Sequence, residues 1–174
     1  HAVQVCASAN ASGRGVMVVM NGEILPALHV VKRHSIATNA FTSSPARPLG
    51  RVYSGRTLFF SDSTKAALAG AFGGALSNDV ALPAVDIHYV AAGNSHADLL
   101  SRDWTERSGL VIAGFGCGEI PDELVPEINR LADDGITIVV SSRVADVVVL
   151  PETMTLTEGH HIVASRHLNP HKSA

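Results

Sequence analysis

The sequence predicts an α/β fold: a β-hairpin region, a linker, and then a small parallel-sheet α/β domain. Three observations carry this reading. Asn21-Gly22 stands between two apolar runs, the signature of a tight antiparallel hairpin. The apolar runs at 85–90, 109–113 and 136–140 alternate with helical patterns, as βαβ units do. Between these regions, residues 62–83 are dominated by small side chains and read as a linker. The expected division is therefore 1–61, 62–83 and 84–174, the last being a Rossmann-like domain.

Ala2 to Ala7 reads as the tail of an apolar helix already under way at His1, so an upstream portion is expected; the helix should run out at Ser12-Gly13. Gly15 to Met20 is a short, continuous apolar run expected to form a buried strand. After the Asn-Gly turn, Glu23 to Val31 should return as the second arm, with Pro26 marking an edge strand or a bulge. Residues 35–50 are rich in Ser, Thr, Pro and Gly and read as an irregular loop. Val52 to Ser61, centred on Ser54-Gly55, predicts a second hairpin. In the second region, Val85–Val90, Gly109–Ala113 and Ile136–Val140 are strands. Helices are expected over Ser95–Trp104 and from Pro126 to a glycine stop at Gly135.

Composition excludes several functions. Thirteen Lys and Arg against sixteen Asp and Glu leave a net charge of −3 over 174 residues, with no basic run. Neither nucleic acid nor an anionic membrane surface is an expected partner. The apolar stretches are broken too soon to span a bilayer. Two cysteines, Cys6 and Cys117, form neither a zinc knuckle nor a disulfide framework. A reducing, cytoplasmic compartment fits them, and so does an exported protein without disulfides.

Gly114, Gly116 and Gly118 invite a dinucleotide fingerprint, but Glu119 stands where the third glycine belongs, and Ser141-Ser142-Arg143 follows the next strand where an acid is needed. A tight strand-to-helix turn is the reading that survives. Cys117 lies in that turn, yet Phe115 and Glu119 occupy the flanking glycine positions of a nucleophile elbow. A cysteine hydrolase pairing Cys117 with His88 or a C-terminal histidine stays open as an alternative. His160, His161, His167 and His171 crowd the C-terminal end, but Asn169-Pro170 argues against a helix presenting two of them together. No metal and no other cofactor is expected. Asp62-Ser63-Thr64-Lys65 reads as a solvated cap.

An activity enters through resemblance. Gly15-Val16-Met17-Val18-Val19-Met20-Asn21, with Val31-Lys32 following, is similar to the bacterial L-asparaginase stretch GVLVVMND…DVTKTN. Arg47-Pro48-Leu49-Gly50 matches the later YGPLGYI-type segment, and Ala113 to Gly118 looks like AGxGNG. Ser141-Ser142-Arg143-Val144 is that family's SSRV, and Val163-Ala164-Ser165 with Leu168 to Lys172 resembles VASG…LNPxKA. The matches fall in order from one end of the chain to the other.

The resemblance implies a hydrolase that converts L-asparagine to L-aspartate and ammonia, with L-glutamine as a second substrate, and that works as a homo-oligomer whose active site forms between subunits. It makes residues 1–61 the end of a larger N-terminal domain. The family's catalytic threonines lie in TGGT and TDT motifs, and neither motif occurs in these 174 residues. Lys32 alone carries over from the catalytic group; beside a threonine hydroxyl, a lysine can hold or move the proton during attack on the amide. Glu119 stands where the family has Asn, and Met154 stands where it has the acid that holds the substrate's α-amino group, with Glu152 two residues earlier. Glu119 and Glu152 are therefore the expected substrate-binding residues. A non-catalytic domain that keeps the fold and assembles with itself or a partner is the second alternative.

Overall fold

The computed structural model describes residues 1–44, 46–60 and 81–174, in two compact units, His1–Val80 and Ala81–Ala174. Residues 62–80 of the expected linker, with the Asp62–Lys65 stretch, lie outside the described residues.

The first unit is built on a four-stranded antiparallel sheet in the order β1-β2-β5-β6. Asn21 (φ 50°) and Gly22 (φ 76°) adopt the two positive φ values of a type I′ turn, joining β1 (Met17–Met20) to β2 (Glu23–Pro26). Ser54 and Gly55 do the same between β5 (Gly50–Tyr53) and β6 (Arg56–Phe59). Both predicted hairpins are present. They share a sheet because Glu23 and Ile24 pair with Arg51 and Gly50, a register that an Arg51–Glu23 ion pair of 2.8 Å follows. Ile24, Leu49 and Val52 bury against Val5 of helix α1 (Ala2–Cys6).

Four expectations need correction here. β1 is an outer strand whose residues Met17 to Val19 are half-buried, while the preceding Val16 stays 78 % exposed; it is not a buried strand. β2 is an inner strand that stops at Pro26, two residues past its pairing with β5, so the missing N–H costs the sheet nothing. The Pro26 carbonyl then accepts from both His29 and Val30, turning the chain away. Val31–Lys32 (β3) consequently pairs with Phe41–Thr42 (β4) in a separate ribbon rather than extending the hairpin arm. The opening helix ends at Cys6, since Ser8 is extended and only a short 3-10 turn, Ala9–Ala11, precedes Ser12.

The second unit holds a four-stranded, wholly parallel sheet in the order β10-β9-β8-β7: β7 (Val85–Tyr89), β8 (Gly109–Gly114), β9 (Thr137–Ser142) and β10 (Ile162–Ala164). The three predicted strands are neighbours in this sheet, and the Asn21-Gly22 hairpin lies outside it. β8 is buried along its whole length, as an inner parallel strand requires. Helix α3 (Val125–Asp133) opens with Pro126 in its first turn and lays Ile128, Leu131 and Ala132 on the sheet. It stops where Gly135 donates to Ala132 and Ile136 donates to Leu131, the paired bonds of a Schellman motif.

Helix α2 (Ala97–Leu100) is shorter than the expected Ser95–Trp104, because Asp103 accepts from both the backbone N–H and the hydroxyl of Thr105 and so favours a turn. Asn169-Pro170 begins a helix rather than excluding one: Asn169 Oδ1 caps the N–H of Lys172 at 3.1 Å, and Pro170 opens α4 (Pro170–Ser173). His167 precedes that helix, so the helical i,i+4 register does not join it to His171. Asn169→Ala should cost about 1 kcal/mol of stability, read as a lower urea midpoint; an unchanged midpoint would show that the cap does not hold α4.

Candidate functional site

In an open parallel sheet, ligands bind beyond the carboxyl ends of the strands, and here those ends carry the polar side chains. β8 leaves the core at Gly114 and enters a closed turn: Phe115 N–H donates to the Glu119 carbonyl at 2.8 Å, and Gly118 N–H donates to the Phe115 carbonyl at 2.8 Å. Gly118 has φ 100°, and a Cβ there would lie 2.8 Å from Val149 Cγ1 and 3.1 Å from Met154 Cβ, so the turn is pressed directly onto the next layer.

β9 supplies the braces. Ser142 Oγ donates to the Gly116 carbonyl at 2.7 Å and accepts from Val144 N–H at 3.0 Å. Arg143 N–H donates to the Gly114 carbonyl, its guanidinium donates to the Val90 carbonyl at 3.1 Å, and its Cζ lies 4.4 Å from the centre of the Phe115 ring. One arginine thus ties β7, β8 and β9 together at the carboxyl edge. The 150s segment closes the other side, with Thr153 Oγ1 on the Cys117 carbonyl and Ile120 N–H on Thr155 Oγ1.

Glu119 and Glu152 are both exposed, and both belong to the two segments that pack together around this turn. Glu119 Oε2 accepts from Cys117 N–H at 3.0 Å, so its carboxylate folds back over the turn. Met154 is 7 % exposed and belongs to the core, which leaves an acidic role in this segment to its exposed neighbours. Lys32 is in the first unit, at the end of β3, exposed and with Nζ 5.8 Å from the Phe41 ring centre.

The structure removes His88 as a base for Cys117. Its Nε2 lies 3.0 Å from His96 Nδ1 and its Nδ1 lies 3.6 Å from Asp98 Oδ2, so both ring nitrogens are engaged elsewhere. His171 contacts Tyr89 Oη at 3.1 Å, and His160 packs edge-on against His161. Both cysteines are free thiols. Among the described residues, no group of three or more His, Cys, Asp or Glu side chains is arranged to hold a metal. No helix among them is long and apolar enough to cross a membrane.

A concavity of about 720 Å³ lies at the amino ends of β8 and β9, where Arg102, Trp104, Arg107 and Arg130 line it. Arg102 and Arg107 pair with Asp86, and Arg130 pairs with Glu127 and Asp134, so the arginines of this cleft are already paired.

Burial lowers the His88 imidazole below its ordinary value of 6.5, against the opposing pull of Asp98, with His96 and Arg102 adding to the lowering. The folded state therefore favours neutral His88. Its contribution to stability is whole above pH 6.5, where the unfolded imidazole is also neutral, and is lost as pH falls from there through the lowered folded value. Urea midpoints taken from pH 8 to pH 5 should fall further for the parent chain than for His88→Gln; parallel curves would remove His88 from the account.

A glycine turn braced at the carboxyl edge of a short parallel sheet defines the class: an α/β unit with its polar loops gathered at that edge. The comparisons give the family. Residues 84–174 match the glutaminase/asparaginase C-terminal domain, and residues 1–65 match the asparaginase N-terminal domain. The chain belongs to the glutaminase/asparaginase family.

It is 34 % identical to the glutaminase-asparaginase of Acinetobacter glutaminasificans over 177 residues, covering 99 % of this chain and 52 % of that protein. It is 31 % identical to the glutaminase-asparaginase of Pseudomonas fluorescens biotype A, covering 99 % of this chain and 48 % of that one. A crystal structure of a probable cytoplasmic L-asparaginase from Campylobacter jejuni superposes with a TM-score of 0.77 at 29 % identity, covering 99 % of this chain and 52 % of that chain. The chain spans about half the length of the curated relatives it matches.

The braces escaped the sequence reading. Ser-Ser-Arg ending a buried strand was a readable signal for polar groups at the carboxyl edge. The His88–His96 contact was not readable, because it depends on an unusual backbone at His96.

Proposed function

We propose that the chain is part of an L-asparaginase-type amidohydrolase that converts L-asparagine to L-aspartate and ammonia and accepts L-glutamine as a second substrate. The match of both family domains, in order, along the two regions of the chain carries this reading. Lys32 is the catalytic lysine, holding or moving the proton of a threonine nucleophile that these 174 residues do not supply. Glu119 and Glu152 are the acidic groups offered to the substrate's α-amino group. Their exposure on adjoining segments at the carboxyl edge supports that role. The reaction needs no metal or other cofactor, since amide attack by a hydroxyl requires only a nucleophile, a proton acceptor and an oxyanion site.

The protein works as a homo-oligomer in the cytoplasm, with functional divisions at 1–61, 62–83 and 84–174. Exposed apolar side chains of the first unit, among them Val16, Leu58 and Phe60, support association. The two free thiols agree with a reducing compartment.

Ammonia release from asparagine tests the reading in two forms: the chain alone, and a chimera with the first half of the Acinetobacter relative ahead of His1. The chain alone should be inactive and the chimera active. Robust turnover by the mass-verified chain would sink the need for an outside nucleophile. An inactive but folded chimera would favour the non-catalytic assembly domain.

A further inference from the structure

We propose that His88 and His96 form a proton-operated latch, which holds segment 91–96 to the end of β7 at neutral pH and releases it when acid charges both rings. The two imidazoles are buried, at 6 % and 3 % exposure, with ring centres 5.2 Å apart and facing nitrogens 3.0 Å apart. Asp98 lies against His88 Nδ1, so that nitrogen carries the hydrogen, Nε2 offers its lone pair, and His96 Nδ1–H donates to it. A first added proton is accommodated: His88 becomes the donor, and His96 accepts after moving its remaining hydrogen to Nε2. A second is not, because both facing nitrogens would then carry hydrogen and both rings a positive charge.

Among the charges around the pair, only Asp98 favours protonation. On its own strand and face, Asp86 is bound by Arg102 and Arg107 and so is spent. From α2 comes Asp98, which is largely exposed and screened; from the segment after it comes Arg102. The residue opposite His88 on β8 is Ile112, which carries no charge. A single screened carboxylate therefore faces two rings. Burial of His88 places the change on the acid side of its ordinary range.

The segment released is defined by its other ties. His96 holds φ 56°, a left-handed conformation that a β-carbon residue adopts at a cost, with its N–H on Asn94 Oδ1. Past it, Leu99 is buried at 1 % exposure and anchors α2. Before it, the Val90 carbonyl is held by Arg143. Opening is thus confined between Val90 and Leu99, next to the braced carboxyl edge.

Residue-resolved amide exchange on the whole 174-residue chain, corrected for intrinsic rates, tests this between pH 7.5 and pH 5. Protection over 92–97 should fall at least tenfold while β8 and β9 keep theirs. His88→Gln, which cannot titrate, should make the protection of 92–97 independent of pH. His96→Asn should do the same while tolerating the left-handed backbone, so either variant suffices if the other fails to fold. The latch is overturned if protection does not change with pH, if a variant keeps the parent's acid response, or if 92–97 opens only together with β8 and β9.

Discussion

Replacing Gly118 by valine should destabilise the second unit by about 3–5 kcal/mol, the sum of a strained positive φ and an overpacked contact. The backbone at φ 100° is one that side-chain-bearing residues rarely adopt, and the new Cβ would meet Val149 Cγ1 at 2.8 Å, with Met154 Cβ and Val140 Cγ1 each at 3.1 Å. None of these atoms is the free end of a flexible chain. Because a domain's whole stability is about 5–15 kcal/mol, a loss of this size can unfold the unit at 37 °C. Gly93 is the internal control: its φ is 76°, but nothing lies within 4 Å of its Cβ position, so Gly93→Ala should cost only about 1 kcal/mol. The single tryptophan, Trp104, packs against the core of this unit and reports its unfolding by fluorescence. Equal urea midpoints for the two variants would mean that the turn is not pressed onto the layer beneath it.

In the active chimera, Lys32→Met should lower kcat by about 10²–10⁴-fold with little change in KM, the signature of a lost proton-transfer group rather than a lost binding contact. The substitution is structurally mild. Lys32 is exposed, and its contact with the Phe41 ring at 5.8 Å is worth about 0.5–1 kcal/mol at such a site. Stability and turnover therefore separate cleanly: a fall in kcat with an unchanged midpoint supports the proton role, and turnover that survives the change ends it.

Local chemistry was legible in the sequence where it depends on few residues. Asn21-Gly22 and Ser54-Gly55 announced their hairpins because two positive φ values in a row are costly for almost any other pair. The three long strands showed themselves as apolar runs, although only β8 is buried throughout and β7 is a partly exposed edge, and Gly135 stopped α3 where expected. Elements decided by distant partners were hidden. β2 pairs with β5 only through Glu23 and Ile24 and with β1 as far as Pro26, and β10 is three residues long and exists only by pairing with β9. The left-handed His96 and the folding back of Glu119 over Cys117 are tertiary outcomes with no local signature. Lys32, Glu119 and Glu152 came from resemblance alone, since no spacing rule connects a ribbon lysine with two loop carboxylates in another unit.

The order β10-β9-β8-β7 has a consequence for synthesis. Every strand of the parallel sheet lies beside the one made immediately before it, so no strand waits for a distant partner. Each addition closes a single loop, the longest running from Gly114 to Thr137, and the entropy of closing such loops grows only slowly with length. A chain emerging from the ribosome can therefore dock β8 on β7, then β9 on β8, in the sequence in which translation delivers them. Long-range parallel pairing is ordinarily slow and exposes sticky edges while it waits. Here the edge that awaits a partner is always the newest strand, and the final docking, by three-residue β10, leaves only a short edge on that side of the sheet, β7 remaining the other edge.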